Sequence, residues 1–278
     1  MSDNSGTAMF SLAGRVAIVT GAAGLLGRQH CRALADAGAT VVATDRDVAG
    51  CETVAAELRR LGCADVHAIP ADITSAESLA QLRDAALSLG DHIDVLVNNA
   101  ALNDRFDDTE DASKLSQFEH YPLDKWRQAL EVNVTGTFLC CQVLGSEMVR
   151  RRRGSIINVA STYGMVAPDQ RIYRRPDGTQ SFWKSAAYPA SKGAVLSFTR
   201  FLATYWSDRG VRVNSLSPGG VAQGGQEAYF VEQYVQRTPI GRMSRPDELR
   251  GAVVFLASDA SSYMTGANLV VDGGWTAW

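Results

Sequence analysis

Short β-branched runs alternate with longer amphipathic stretches along nearly all of this 278-residue chain, and that rhythm is the tightest constraint on its fold. Residues 15–20, 40–44, 66–69, 93–98, 155–159, 211–216 and 268–272 read as strands, most of them apolar throughout as strands buried on both faces are. Residues 27–37, 48–61, 75–88, 123–151, 190–206 and 246–256 read as helices. Strand–helix alternation predicts an α/β fold, a doubly wound parallel sheet with helices on both faces. Neither a low-complexity linker nor a compositional break appears, so residues 1–278 are expected to form one domain. Segments 104–122 and 167–187 break the rhythm, and with the glycine-bearing 221–240 they are expected to be loops over a substrate site.

Composition removes several function classes. The formal net charge is −3, without the basic field that a nucleic-acid binder needs. The run Arg150–Arg153 falls where a helix should end, and cations there suit the helix dipole. Five cysteines are scattered with no CxxC pair, which argues against a disulfide framework or a metal site. No apolar stretch is long enough for a membrane span, and residues 1–10 lack a signal peptide's basic and apolar regions, so the expectation is a cytoplasmic protein without membrane or nucleic-acid partners.

Chemistry concentrates in two places. Gly21, Gly24 and Gly27, with Leu25 and Leu26, lie where the first strand meets the first helix. Glycines there let the backbone approach a pyrophosphate, and the helix N-terminus offers unpaired amides to it. Asp45 ends the second strand, where a carboxylate accepts hydrogen bonds from the adenine-ribose hydroxyls and repels a 2′-phosphate. NAD is therefore expected over NADP, although the adjacent Arg46 is a potential 2′-phosphate ligand. Asp72 and Ile73 are candidates for the adenine edge, with a helix N-cap as the other reading of Asp72. The second place is Tyr188-Pro-Ala-Ser-Lys192: at i and i+4 on a helix the two side chains share a face, and an ammonium beside a phenol favours the phenolate.

These features resemble the short-chain dehydrogenase/reductases. The motifs that carry the resemblance, in order, are Thr20-Gly21 to Gly27, Asn98-Asn99-Ala100-Ala101, Asn133 in Val-Asn-Val, Ser161, Tyr188 with Lys192, Ser217-Pro218-Gly219 and Val271-Asp272-Gly273-Gly274. The resemblance implies a Rossmann-type fold and hydride transfer at a carbinol carbon. It makes Tyr188 the proton-transfer residue and has Ser161 stabilise the substrate oxygen. It has Lys192 lower the Tyr188 pKa and bind the nicotinamide ribose, and Asn133 hold a water that links Lys192 to solvent. Asn98 and its neighbours Asn99, Ala100 and Ala101 would line the adenosine side. Backbone at Pro218, Gly219 and Val221 would meet the nicotinamide, and the family implies dimers or tetramers. Three departures stand out. The middle glycine of the usual TGxxxGxG loop falls one place early, at Gly24, with Leu25 in its expected position. The usual NNAG ends in Ala101, and no threonine follows Pro218-Gly219.

Ser161 and Tyr188 lie farther apart than is usual in this family, and the added residues bring Arg171, Arg174, Arg175 and Trp183. With Asn103, Arg105 and Tyr163 these are the candidate substrate-binding residues. Arginines, amides and aromatics suit a hydroxylated or anionic ligand rather than a greasy one, and the insertion resembles that of members acting on sugars and sugar acids. The expectation is a sugar-type substrate bearing a carboxylate, phosphate or sulfonate. A 3-oxoacyl thioester reductase is the alternative enzyme, though it would prefer NADPH. A sensor that binds NAD without turnover is the alternative of another class, and it would be expected to have lost Tyr188 or Lys192.

Overall fold

All seven predicted strands form, and they join in one parallel sheet. They are β1 (Val16–Thr20), β2 (Thr40–Thr44), β3 (Val66–Ala68), β4 (Val95–Asn98), β5 (Gly154–Val159), β6 (Val211–Pro218) and β7 (Asn268–Val271), arranged β3-β2-β1-β4-β5-β6-β7. The computed structural model describes residues 6–63, 65–103, 112–180 and 182–278. Ten α-helical segments accompany the sheet among these residues: α1 (Leu25–Asp36), α2 (Val48–Arg60), α3 (Ala76–Gly90), α4 (Ala112–Ser116), α5 (Leu123–Leu130), α6 (Thr137–Cys140), α7 (Ser146–Arg151), α8 (Ala187–Tyr205), α9 (Ala228–Gln236) and α10 (Arg250–Ala257).

The strands are apolar on both sides because helices cover both. Along β1, Ala17 and Val19 face a core closed by α1, α2 and α10 through Leu34, Val54, Leu58 and Leu256. Val16 and Ile18 face the other core, closed by α3, α7 and α8 through Leu79, Leu82, Met148 and Leu202. Strand order reverses between β1 and β4, so consecutive crossovers leave that point in opposite directions. A crevice opens there at the carboxyl ends of the strands.

The structure corrects four boundaries. Residues 123–151, predicted as one regular helix, are helical throughout but widen twice into π-turns, at Glu131–Gly136 and Cys141–Gly145. Helix α8 starts at Ala187, earlier than the predicted 190, which places Tyr188 inside its first turn. The predicted loop 221–240 contains a helix, α9. Segment 167–187 is irregular, with one 3₁₀ turn (Gln170–Tyr173) and an antiparallel bridge between Arg174 and Gln180. Of segment 104–122, residues 104–111 lie outside the described residues, and the remainder folds into α4 and a 3₁₀ turn at Phe118–His120.

The arginine run ends α7 as expected. Arg150 pairs with Glu147, and Arg152 takes the left-handed C-cap conformation at φ 56°. All five cysteines are free thiols, four of them buried.

Two glycines shape the turn from β1 into α1. Gly21 has φ +66°, a region that other residues seldom adopt. A Cβ at Gly27 would overlap the Gly21 carbonyl oxygen and come within 2.8 Å of the Ala22 Cα, so α1 packs on the loop as only glycine permits. Gly24 is the N-cap of α1 at φ −73°, a conformation open to any residue. The displaced glycine therefore leaves the turn intact. Gly27→Ala is expected to lower stability by about 1–3 kcal/mol through overpacking, read as a lower melting temperature. An unchanged melt would show that the loop can shift away from α1.

Candidate active site

At the β1/β4 reversal lies a cleft of about 580 Å³. The turn after β1 contributes Gly21, Gly24, Leu25 and Leu26, and the end of β2 contributes Asp45 and Arg46. Asp72 and Ile73 close one side; Asn99, Ala100, Ala101 and Asn103 after β4 close the other, and Tyr188 stands at the far end. Gly27 supports the turn from beneath. The Gly24 N-cap places no side chain over the first-turn amides of α1, which leaves them available to an anion.

Two polar clamps hold the cleft walls. The Thr20 hydroxyl accepts from the backbone N–H of Asn99 (3.0 Å) and of Ala100 (3.1 Å), while the Asn99 amide donates to the carbonyls of Thr20 (3.0 Å) and Gly21 (3.1 Å). The Asp45 carboxylate accepts from the N–H of Ala23 and of Asp47, each at 3.2 Å, and so ties the end of β2 to the glycine turn. The dinucleotide fits this donor set: a glycine cradle, open amides, and a carboxylate at the adenosine end.

Asp72 lines the cleft but caps nothing. Its carboxylate accepts from the Thr74 N–H (2.9 Å) and hydroxyl (2.7 Å), bonds that hold its pKa below the usual carboxylate range. The cap of α3 is Ser75, which accepts from the Ser78 N–H. Asn98 also departs from expectation: it is buried within the sheet and donates to Asn158 Oδ1 (2.8 Å), whose own amide donates to Thr199 of α8 (2.9 Å). Neighbouring strand residues point to opposite faces, so Asn99 and not Asn98 reaches the cleft.

The catalytic candidates converge. Strand β5 delivers Ser161, and the Val159 carbonyl accepts from Lys192 Nζ at 2.7 Å. Burial lowers Lys192 to about 8. Burial pushes the Tyr188 phenol up, and a hydrogen bond with Ser161 opposes that rise. Lys192 Nζ lies 5.7 Å from the centre of the Tyr188 ring. Asn133 is buried in the first π-turn; its Oδ1 accepts from Leu102 N–H (2.7 Å), and its amide donates to the Leu102 carbonyl (2.9 Å) and Ser191 Oγ (2.9 Å). Ser191 in turn donates to the Tyr188 carbonyl at 2.8 Å. Asn133 thus grips the strand-β4 loop and braces the first turn of α8.

Pro218 ends β6 beside β5, and the Gly219 N–H donates to the Val271 carbonyl (2.9 Å). A Cβ on Gly219 would press to 2.7 Å from the Asp272 Cα, so that glycine serves packing against β7's end. Val221 bridges to Ser244. None of these three lines the cleft.

The expected substrate set disperses. Arg171 is exposed and forked onto Asp169, which also pairs with Arg237, and Arg175 is forked onto Glu227, so both insertion arginines already have carboxylate partners. Trp183 lines a separate, smaller cleft with Phe118 and Tyr121. Arg174 is exposed. Arg105 lies outside the described residues. Tyr163 stays near the reaction centre: its N–H donates to Ser161 Oγ (3.2 Å), and its hydroxyl, its pKa raised mainly by burial, bonds to Tyr173. Sequence reading did not single out Ser191, and it named Thr20 only within the glycine motif and Lys184 only among the residues added between Ser161 and Tyr188. Lys184 Nζ stands 4.5 Å from the Tyr188 ring centre and donates to Asn103 Oδ1. Its presence in the over-long Ser161–Tyr188 interval was the only available signal.

Comparison with known proteins matches this geometry. Residues 15–173 fit the family described as short chain dehydrogenase, and residues 177–276 fit the one described as enoyl-(acyl carrier protein) reductase. The chain is 39% identical to the galactitol 2-dehydrogenase (L-tagatose-forming) of Cereibacter sphaeroides, over 97% of this chain and 98% of that one. It is 36% identical to the D-threitol dehydrogenase of Mycolicibacterium smegmatis, over 96% and 95%. A gluconate 5-dehydrogenase from Burkholderia cenocepacia, solved with NADP and tartrate, superposes with a TM-score of 0.84 at 30% identity, over 98% of this chain and 99% of that one. With residues 15–173 matched by the family and relatives 39% and 36% identical over nearly its whole length, the chain belongs to the short-chain dehydrogenase family.

Proposed function

We propose that this protein is an NAD-dependent dehydrogenase that oxidises a secondary alcohol of an uncharged polyol or sugar. The observation that carries the reading is the Ser161–Tyr188–Lys192 group at the end of a dinucleotide cleft whose other end carries Asp45. Polyol relatives at 39% and 36% identity support the substrate class. Asp45 also argues against an NADPH-using thioester reductase, and the retention of both Tyr188 and Lys192 against a sensor without turnover.

NAD, when bound, supplies the hydride acceptor. The chain does the rest. Ser161 would donate to the carbinol oxygen, and the Tyr188 phenolate would take the hydroxyl proton as the carbinol carbon gives up its hydrogen with both bonding electrons and the carbonyl forms. Lys192 favours the phenolate by its charge, and Asn133, through Ser191 and Leu102, holds the first turn of α8 against the strand-β4 loop.

An anionic sugar is the second reading, favoured by the gluconate dehydrogenase neighbour, whose structure holds tartrate. Since Arg171 and Arg175 are already paired, neutral polyols are preferred here. The deciding experiment is a screen of alditols, aldoses, aldonic acids, sulfosugars and sugar phosphates with NAD and NADP in parallel. Turnover confined to acids, or to NADP, would overturn the respective part of the reading. Asp45→Ser should raise the NADP-to-NAD ratio of kcat/KM by about tenfold or more, because it removes a charge that repels the 2′-phosphate.

The pH dependence follows from Lys192 at about 8 and from the raised Tyr188. Oxidation consumes the phenolate and reduction the phenol, and burial makes the phenolate form only as pH rises, so oxidation should rise with pH and reduction fall. Tyr188→Phe should cost about 10²–10⁴-fold in kcat at every pH. A flat profile in the wild-type enzyme would remove Tyr188 from proton transfer.

The protein is also inferred to assemble with copies of itself. Phe138, Phe201 and Tyr205 expose 44%, 59% and 65% of their surfaces on the helices flanking one side of the sheet. Light scattering should give a dimer or tetramer, and a monomer at micromolar concentration would refute this.

A further inference from the structure

The insertion between Ser161 and Tyr188 is built as a buckle around one side chain. Gln170 clamps the backbone of Lys184 in both directions: its Oε1 accepts from the Lys184 N–H at 2.9 Å, and its Nε2 donates to the Lys184 carbonyl at 2.9 Å. Gln180 braces the clamp by donating to the carbonyls of Gln170 (3.1 Å) and Phe182 (3.2 Å). Beneath, Ile172 is fully buried with Tyr234, Met243 and Trp275, which anchors the insertion to the body of the protein. The Lys184 side chain then runs to the rim of the cofactor cleft, where its Nζ donates to Asn103 and stands 4.5 Å from the centre of the Tyr188 ring. Lys192 lies farther from that ring, at 5.7 Å.

We infer that Lys184 is a second cationic partner of Tyr188, a positioning residue that stabilises the phenolate together with Lys192. A cation over the ring face is attracted to its π electrons, and far more strongly once the ring carries a negative charge. The arrangement suits the site electrostatically. Lys192 sits in a buried pocket that lowers its own pKa, so the charge it offers fades near pH 8. Lys184, at the cleft rim, places a second ammonium closer to the ring centre than that of Lys192. Among the described residues, the other polar groups beside Tyr188 are the Ser161 hydroxyl after β5 and the Tyr163 phenol, and Glu131 lines the same cleft beside α5.

This inference rests on the reading of Tyr188 as the proton-transfer residue but not on the identity of the alcohol. Its test needs no substrate. The ultraviolet absorbance of phenolate is titrated in the wild-type protein, Lys184→Met and Lys184→Arg, each against the same protein carrying Tyr188→Phe. The chain has eight tyrosines, and only the subtraction isolates Tyr188. Lys184→Met should raise the Tyr188 midpoint by about one pH unit, and Lys184→Arg should leave it near the wild-type value. Asn103→Ala, which keeps Lys184 and removes one acceptor from its ammonium, should give a smaller change and covers the case in which Lys184→Met fails to fold. The acid limb of kcat for whichever alcohol is turned over should move with the midpoint, while KM for NAD stays constant. An unmoved midpoint in Lys184→Met, or equal shifts in Lys184→Met and Lys184→Arg, would reduce Lys184 to a structural role. Absence of turnover across the polyol screen with an intact midpoint shift would fault the substrate reading alone.

Discussion

At the β1/β4 reversal the sheet stops supplying its own cross-links beyond the strand ends, because the crossovers that leave it run to opposite faces. The chain needs that gap, since residues after β1, β2 and β4 line one crevice there, and the gap must stay rigid. Thr20 and Asn99 solve the problem with four hydrogen bonds between side chain and backbone, so neither wall depends on the ligand for its position. Glycine completes the solution on the β1 side, where Gly21 turns and Gly27 lets α1 lie against the turn. The rest of the site is placed relative to this frame.

The proton-transfer group is held by a second, buried polar chain. Asn98, Asn158 and Thr199 connect β4, β5 and α8 in series, and Asn133 connects the strand-β4 loop to Ser191 on α8. Such groups are costly to bury unless each finds a partner. Here the partners lie on different elements, so satisfying them fixes how the helix carrying Tyr188 and Lys192 sits on the sheet. The π-turn at Glu131–Gly136 belongs to the same arrangement: it carries Asn133, the residue that reaches the Leu102 backbone.

The sheet was legible in the sequence because strands buried on both faces are largely apolar, and most of the seven candidates are. The glycine turn, Asp45 and the Tyr188–Lys192 spacing were legible for a related reason, as each chemistry tolerates few residue types. What escaped depended on distance along the chain or on subtle geometry. Helix periodicity does not distinguish a π-turn from regular helix, so 123–151 read as uniform. Helix α9 is a short aromatic segment whose N-cap, Glu227, makes no side-chain capping bond. The arginines of the insertion were visible, but their partners were not: Glu227 lies far downstream of Arg175, and an anion would have to compete with it for that guanidinium. Asn98 and Asn99 were indistinguishable in a motif but point to opposite sides of a strand.

The insertion and the segment after β6 are fastened together. Asp169 pairs with Arg237, Arg175 with Glu227, and Tyr173 stacks on Phe230 at 5.3 Å, above the buried contact of Ile172 with Tyr234. Parting the two segments would break all four contacts at once, so neither can shift without the other, and a change in the insertion is felt in the chain that follows β6.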